Sequence, residues 1–230
     1  MRARWLVLVV LALGCGSTDQ KRELSELAVT RLSVTAGFDA VASDTAQIFA
    51  ALTYTRVGSD CPELPISAEL DGVAMSVSQN GSGKQGDGCQ LGFYLDAPIS
   101  DRAERSTVSF RDDTGEASLA MDKLLAPHAL LARVEPNSTL GPGDRLLFQW
   151  SVDRDRLTGA DAYFKLGSET IQGDARMAGN DVTVPVPELG PGGWKVELGA
   201  RAEAAVVSCE RASECVATLA GNGALDFRIE

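Results

Sequence analysis

Histidine is almost missing from this 230-residue sequence, in which His128 is the only one. A serine or cysteine nucleophile needs a general base, and His128 would have to supply it. It follows Pro127 at an expected linker, and the chain has no Gly-x-Ser-x-Gly nucleophile elbow. We therefore expect His128 to be a hinge or surface residue and predict no catalytic residues.

Metal-ligand spacings are also scarce. With one histidine and no Cys-x-x-Cys pair, a zinc site is disfavoured. A calcium site has two candidate groups of ligands, because oxygen ligands could converge in two predicted loops. One group is Asp153 and Asp155, and the other is Asp112, Asp113 and Glu116. Arginines interleave the first pair, however, and no complete calcium-loop pattern is present. Solvated turns are the expected role of both groups, and no metal or other cofactor is predicted.

Basic residues are few: 21 Lys and Arg stand against 32 Asp and Glu, for a net charge of −11. Binding to nucleic acid depends on Lys and Arg that neutralise phosphates, so an acidic chain with no basic cluster argues against that partner. It also argues against electrostatic adhesion to anionic lipids. Among the 32 acids no pair stands out as a general acid and base.

A nucleotide site is suggested only by Gly81-Ser82-Gly83-Lys84. A phosphate-binding loop needs Gly-x-x-x-x-Gly-Lys-Ser/Thr followed at once by a helix. Here Ser78 stands in place of the first glycine, and Gly86 and Gly88 oppose a helix start. We predict no nucleotide, and we expect Gln79–Cys89 to be a mobile connection between two strands.

Long apolar runs are missing too, since a membrane-spanning helix needs about 20 apolar residues. The one apolar run extends over the 10 residues Trp5–Gly14 and follows Arg2 and Arg4, which is the layout of a signal peptide over 1–14. The run stops at Cys15. An ordinary secretory signal with an incidental cysteine is the alternative interpretation.

The sequence Leu11-Ala12-Leu13-Gly14-Cys15 resembles the lipobox of bacterial lipoproteins. The resemblance implies cleavage before Cys15, lipidation of its thiol and a membrane anchor; Ala12 departs from the commoner leucine. Because Gly16 is not aspartate, it also favours the outer membrane. The polar segment 15–27 would then be the lipidated cysteine and a flexible tether.

Four cysteines remain once Cys15 is assigned to lipid, an even number that fits two disulfides in an oxidising compartment. Three pairings are formally open. Cys61–Cys89 and Cys209–Cys215 are favoured, because each pair lies within one half of the chain.

Strand patterns dominate the rest of the sequence. Asp71-Gly72 between alternating runs predicts a hairpin from Ile66 to Val77, because both turn residues need positive φ. Gln47–Val57 is predicted as a strand, with a helix as the alternative. Pro185 and Pro187 predict an edge strand around Val182–Val186. The segment 204–218 is left open between a disulfide-stapled hairpin and a short helix. Further strands are predicted at 107–110, 117–121, 145–152, 194–200 and 225–229.

Strands recurring every 8–12 residues with turn signals between them are typical of a β-sandwich. The runs PGDRLLFQWSV and PGGWKVELGA resemble bacterial immunoglobulin-like or fibronectin type III modules. We therefore predict an all-β chain with two tandem immunoglobulin-like β-sandwich domains, over 28–126 and 127–230. The first half shows no such resemblance.

The functional hypothesis is a non-catalytic cell-envelope lipoprotein that acts as a binding or scaffolding module. Its expected partners are the membrane, through the lipid, and an envelope protein or polysaccharide. The alternative is a secreted carboxylate-dependent hydrolase similar to glycosidases, stabilised by calcium. Trp194 and Tyr163 are the candidates for a sugar-binding aromatic platform, although core or rim packing is favoured for both.

Overall fold

The computed structural model describes residues 23–39, 44–56, 61–62, 64–100, 104–126, 130–135, 138–151 and 157–230, without the side chains of 39 and 80–82. The signal peptide with Cys15, His128, and the pair Asp153 and Asp155 lie outside the described residues, so those predictions stay predictions.

Almost every described segment is a β-strand. The helical structure in these ranges is one 3₁₀ turn, Leu24–Glu26, so none of their helices is long or apolar enough to cross a membrane. The strands are β1 (Val29–Asp39), β2 (Thr45–Thr55), β3 (Ser67–Leu70), β4 (Val73–Ala74), β5 (Ser76–Gln85), β6 (Gly88–Pro98), β7 (Arg105–Asp112), β8 (Gly115–Asp122), β9 (Leu130–Ala132), β10 (Arg145–Trp150), β11 (Leu157–Leu166), β12 (Glu169–Gly173), β13 (Arg176–Ala178), β14 (Asp181–Pro185), β15 (Gly192–Glu203), β16 (Val206–Glu210) and β17 (Glu214–Ile229). The predicted all-β fold class is confirmed.

Three sheets share these strands. The largest has eight strands in the order β12-β11-β15-β17-β1-β2-β6-β5, a second has five in the order β16-β8-β7-β3-β4, and a third has four in the order β13-β14-β10-β9. Neighbours pair antiparallel except β1 and β17, which run parallel with Arg31 opposite Glu214.

The two smaller sheets pack against one face of the eight-stranded sheet. On the five-stranded sheet, Phe110 of β7 meets Phe93 of β6 edge-on, with ring centroids 5.8 Å apart. On the four-stranded sheet, Trp150 of β10 lies against Gly221 of β17. The buried side chains of all three sheets form one continuous hydrophobic cluster. This is sandwich packing, as the alternation of apolar and polar residues predicts.

Strand pairing crosses position 126. β17, from the second half of the chain, extends the large sheet beside β1, and β16 pairs with β8 in the five-stranded sheet. The hydrogen-bonded sheets are therefore not divided at the expected linker. The domain bounds 28–126 and 127–230 stay a prediction.

The segment 204–218, left open between hairpin and helix, is strand. β15 and β17 pair from Gly192 opposite Ile229 to Glu203 opposite Thr218, and the chain between them leaves the large sheet. There β16 joins the five-stranded sheet. The two strands of this segment thus belong to different sheets, and the disulfide between them links those sheets.

Both favoured cysteine pairings are present. The Cα atoms of Cys61 and Cys89 are 5.5 Å apart, and those of Cys209 and Cys215 are 5.8 Å apart. The first pair ties the segment before β3 to the large sheet at a fully buried position, Cys89. The second lies at the surface, between β16 and β17.

Two local predictions hold and one holds in part. Gln47–Thr55 of the strand predicted over Gln47–Val57 lies in β2, and residues 107–121 form the hairpin β7–β8. Asp71 and Gly72 make the expected tight turn, with φ of 50° and 81°. The returning strand is shorter than expected, because only β4 pairs with β3 and the chain from Ser76 pairs with β6 instead.

Two other local predictions are wrong. β14 is not an edge strand, because it lies between β10 and β13. It tolerates proline because β13 pairs only with residues 181–183, so the missing N–H of Pro185 falls beyond that ladder. The expected mobile connection Gln79–Cys89 is mostly strand: β5 runs to Gln85, and only Gly86 and Asp87 form the turn.

Candidate functional site

The outer face of the eight-stranded sheet is the surface that neither smaller sheet covers. Strand β15 illustrates how the sequence determines which side chains lie on this face. Trp194, Val196 and Leu198 alternate into the core, and the residues between them point outward because successive side chains of a strand project to opposite faces. The outward positions of β15 therefore carry Lys195 and Glu197, followed by Gly199 and Arg201.

A concavity of about 540 Å³ lies on this face, across β11, β15 and β17. Its lining includes the small residues Gly199, Ala220 and Ala224, whose short side chains leave room between larger neighbours. The residues that line it are Asp161, Tyr163, Lys195, Glu197, Leu198, Gly199, Ala200, Arg201, Ala220, Asn222, Gly223 and Ala224.

Strand register brings these residues together in rows. Tyr163 lies opposite Glu197, which lies opposite Ala224. In the next row, Asp161, Gly199 and Asn222 follow one another across the same three strands. Directly opposite residues are about 5 Å apart, so each row forms a contiguous strip across the concavity.

The charged groups in the concavity are paired with one another. The guanidinium of Arg201 donates to the Asp161 carboxylate at 2.6 Å. Glu197 accepts from Lys165 at 2.5 Å and from Lys195 at 3.1 Å. Hydrogen bonds from Lys165 and then Lys195 lower the pKa of Glu197 below its ordinary value. The lining residues carry two carboxylates and two cations, and Lys165 beside the lining adds a third cation. Every charged side chain of the lining is therefore paired.

Two polar side chains in the concavity have no partner among the described residues. Tyr163 is 39% exposed, and its hydroxyl makes no hydrogen bond to them. Asn222 is exposed, and its amide oxygen lies 3.5 Å from where a Cβ on Gly199 would be. Both side chains can therefore bind a ligand without first breaking a protein hydrogen bond.

Proton transfer by a carboxylic acid needs a group that is still protonated near neutral pH. The pKa of Glu197 is lowered, which is the opposite of what a general acid requires. Asp161 is held by Arg201. The chemistry that this concavity favours is recognition by an aromatic ring, an amide and a pair of opposite charges.

Of the predicted aromatic candidates, Trp194 packs in the core, with its indole N–H donating to the Gly190 carbonyl at 2.9 Å. Tyr163 does not pack in the core but faces outward over the concavity. Its position opposite Glu197, an outward residue of the predicted strand 194–200, is the feature that the sequence pattern could not supply.

The acidic group in the 112–116 loop is structural. One oxygen of Asp112 accepts hydrogen bonds from the backbone and hydroxyl of Thr114 and from the backbone of Gly115, and the other accepts from the Leu24 backbone. Burial acts to raise the pKa of Asp112, but the hydrogen bonds together lower it. Glu116 is paired with Arg111 at 3.1 Å. Within the described residues no three His, Cys, Asp or Glu side chains cluster as metal ligands.

Sequence reasoning missed most of the concavity. Asp161, Arg201 and Asn222 belong to no motif, and only strand pairing brings them together. The available signal was period-two alternation, which marks 195, 197, 199 and 201 as outward positions of one strand but does not say which residues lie beside them.

No protein-family model matches the chain, and no curated protein matches it at a significant level. Among solved structures it is similar to an immunoglobulin tandem-domain fragment of titin, with 11% identity over 89% of this chain and 95% of that one, at a TM-score of 0.25. A second titin fragment has 11% identity over 87% of this chain and 96% of that one, at 0.24.

A third similar structure is SGBP-B of the Bacteroides ovatus mixed-linkage glucan utilization locus, solved in complex with a mixed-linkage heptasaccharide. It has 10% identity over 82% of this chain and 54% of that one, at a TM-score of 0.24. At TM-scores this low the likenesses transfer neither a fold assignment nor a ligand.

Proposed function

We propose that this chain is a non-catalytic binding module of the cell envelope, and that it binds through the concavity on the outer face of its eight-stranded sheet. The observation that carries the proposal is the state of the polar groups there. Asp161 and Glu197 are engaged by cations, whereas Tyr163 and Asn222 are exposed and have no partner among the described residues. Such a surface can hold a ligand but has no poised acid or base.

Two features support an envelope location. The lipobox resemblance around Cys15 supports an anchor in the bacterial outer membrane, since two or more acyl chains hold a protein firmly on a bilayer. Two cysteine pairs at bonding distance support an oxidising compartment outside the cytoplasm.

The anchor is tested by the intact mass of the protein from its native membrane, with and without reductant. We expect a chain that begins at Cys15, carries acyl mass and gains about four hydrogens on reduction of its two disulfides. A chain without added acyl mass would overturn the anchor but leave the binding surface untouched.

Binding is tested by sedimentation of the mature chain carrying Cys15→Ser, which has no acyl anchor of its own, with envelope fractions: peptidoglycan sacculi, purified surface polysaccharide and outer-membrane vesicles stripped of this protein. We expect the wild type to pellet with at least one fraction and the double variant Tyr163→Ala/Asn222→Ala to lose most of that binding. Tyr94→Ala is the matched control, because Tyr94 is 52% exposed on the same sheet but lies outside the concavity.

The hydrolase alternative gives a different result in the same experiment. A hydrolase would release soluble fragments from the fraction it binds, and the release would fall when Glu197 or Asp161 is changed to its amide. Fragment release of that kind, or equal binding by the double variant and the wild type, would overturn the proposal.

A further inference from the structure

We propose that the ligand of the concavity is a neutral oligosaccharide, an inference that rests on the proposed binding function of this face. The first argument is charge. The chain carries a net charge of −11, yet the charged side chains of the lining are all paired. Asp161 is paired with Arg201, and Glu197 is paired with Lys195 and with Lys165 beside the lining. A site for an anion would need unpaired cations, and a site for a cation would need unpaired carboxylates. This site has neither, so a neutral ligand fits it best.

The second argument is the aromatic ring. Tyr163 is 39% exposed at the β11 side of the concavity, whose lining also includes the small residues Gly199, Ala220 and Ala224. An exposed tyrosine offers an apolar face and a polar hydroxyl together. A sugar ring has the matching pair of features, since its C–H bonds form an apolar face and its hydroxyls surround the rim.

The third argument is the set of hydrogen-bond donors and acceptors in the concavity. A sugar hydroxyl both donates and accepts, and it is best met by a mixed set of donors and acceptors. The Asn222 amide supplies both, Tyr163 supplies a hydroxyl, and Arg201 and Asp161 keep N–H groups and lone pairs beyond their mutual bond. The concavity of about 540 Å³ is also within the usual range for small-ligand sites, about 300–1,000 Å³.

The fourth argument separates an oligosaccharide from an extended peptide. Peptides commonly bind by adding a strand to an exposed sheet edge, where backbone N–H and C=O groups are free. β15 is paired on both sides along the concavity, whereas β11 is paired with β12 only from Ala162 to Leu166, and β17 with β1 only as far as Asn222. The backbone at Tyr163 and Asn222 is therefore engaged on both sides, and these two residues offer a ligand their side chains.

The test is affinity electrophoresis of the full mature protein in native gels that contain one polysaccharide each. The neutral probes are galactomannan, dextran and hydroxyethyl cellulose; the charged probes, polygalacturonate and dextran sulfate, are anionic like the protein, so net charge alone does not cause retardation. We expect retardation by at least one neutral probe and by none of the charged ones. Because no net charge is involved, retardation should not change when NaCl rises from about 50 mM to about 500 mM.

Three variants locate the binding. Tyr163→Ala should weaken affinity for the retarding probe at least tenfold, whereas Tyr163→Phe should keep most of it because the ring is retained. Tyr94→Ala should behave as wild type. Both positions are exposed, so we expect unchanged melting temperatures, which would exclude unfolding as the cause.

Four results would overturn the inference: retardation only by charged probes, loss of retardation at high salt, full affinity in Tyr163→Ala, or no retardation by any neutral probe. The sedimentation experiment then separates the two proposals. If the protein still pellets with an envelope fraction through Tyr163 and Asn222, and protease treatment of that fraction abolishes binding, the binding function stands and its ligand is a protein. If it pellets with nothing, both proposals fail.

Discussion

Gly221→Ala should be among the most destabilising single-methyl additions in this protein. Gly221 lies in β17, where the large sheet packs against the four-stranded sheet, and the ring of Trp150 lies directly on it. A Cβ at 221 would stand 2.5 Å from Cζ3 and 2.9 Å from Cη2 of that ring. Ordinary carbon–carbon contacts are about 3.5–4.0 Å, so the two sheets must separate or the indole must leave its rotamer.

The size of the effect follows from two opposing contributions. Trp150 is 1% exposed and enclosed by the core, so the clash cannot be relieved into solvent, and overpacking of this kind costs about 1–3 kcal/mol. Alanine also restricts the unfolded chain, which favours the variant by about 0.4–1 kcal/mol. We expect a net loss of about 1–2 kcal/mol. For a chain of this size that corresponds to a fall of about 3–6 °C in Tm.

The assay is urea unfolding followed by tryptophan fluorescence and circular dichroism, with Gly159→Ala as the matched control. Gly159 is also a strand glycine, but a Cβ there meets no atom within 4 Å, so that variant should be neutral or slightly more stable. In a Trp150→Phe background, which removes the clashing benzo ring, Gly221→Ala should cost at least about 0.5 kcal/mol less than in wild type.

Two results would refute this account of the packing. One is a Gly221→Ala variant as stable as Gly159→Ala. The other is strict additivity in the double-mutant cycle, which would mean that the side chain at 221 does not contact the Trp150 indole.

Three further predictions concern the two disulfides, the loss of stability at acid pH and the division of the chain into domains. Replacing both cysteines of the 61–89 bridge by alanine should lower the free energy of unfolding by about 3.6 kcal/mol on the loop-closure model, and replacing those of the 209–215 bridge by about 2.2 kcal/mol. The losses differ because the sequence separations are 28 and 6. Urea unfolding midpoints would check this order, and equal losses would contradict it. The pKa values of the Asp112, Glu116 and Glu197 carboxyls are lowered in the folded protein. The stability that these ionised carboxylates contribute is therefore complete above the ordinary carboxyl pKa of about 4, and it is lost as the pH falls through the lowered values. Acid titration of stability should therefore be shallower for Asp112→Asn, and an unchanged slope would count against its hydrogen bonds. A fragment 24–126 should aggregate or show broad NMR signals, because β1 and β8 would lose β17 and β16 as neighbours; a soluble fragment with dispersed signals would support an independent domain bounded at 126.

The candidate site shows how far sequence patterns extend. Alternation in 194–200 places Trp194 on the inward face and Lys195 and Glu197 on the outward face, and the structure agrees. It does not identify Asn222 or Asp161 as neighbours of Gly199, because a period of two fixes the face of a residue and leaves open which strand lies beside it. Register is a property of the paired strands, and it is set by packing between parts of the chain that are far apart in sequence.

The same distinction explains the errors at β5 and β14. Asp71-Gly72 predicts the turn correctly because its φ requirements are local. The strand with which the chain pairs after Met75 is not a local property, because that strand is β6, which lies beside β2 in the large sheet. Pro185 is a reliable sign that one N–H is missing, but whether a strand is at an edge depends on how far the neighbouring strand extends.

By itself the sequence determined the all-β class and most strand positions, and it favoured both cysteine pairings, because alternation, turn residues and short separations act locally. Only the tertiary structure decided that β17 pairs with β1, that β16 joins the five-stranded sheet, and that Tyr163 points outward opposite Glu197. These depend on which apolar faces bury each other most completely, and that free energy belongs to the assembled sheets rather than to any one segment.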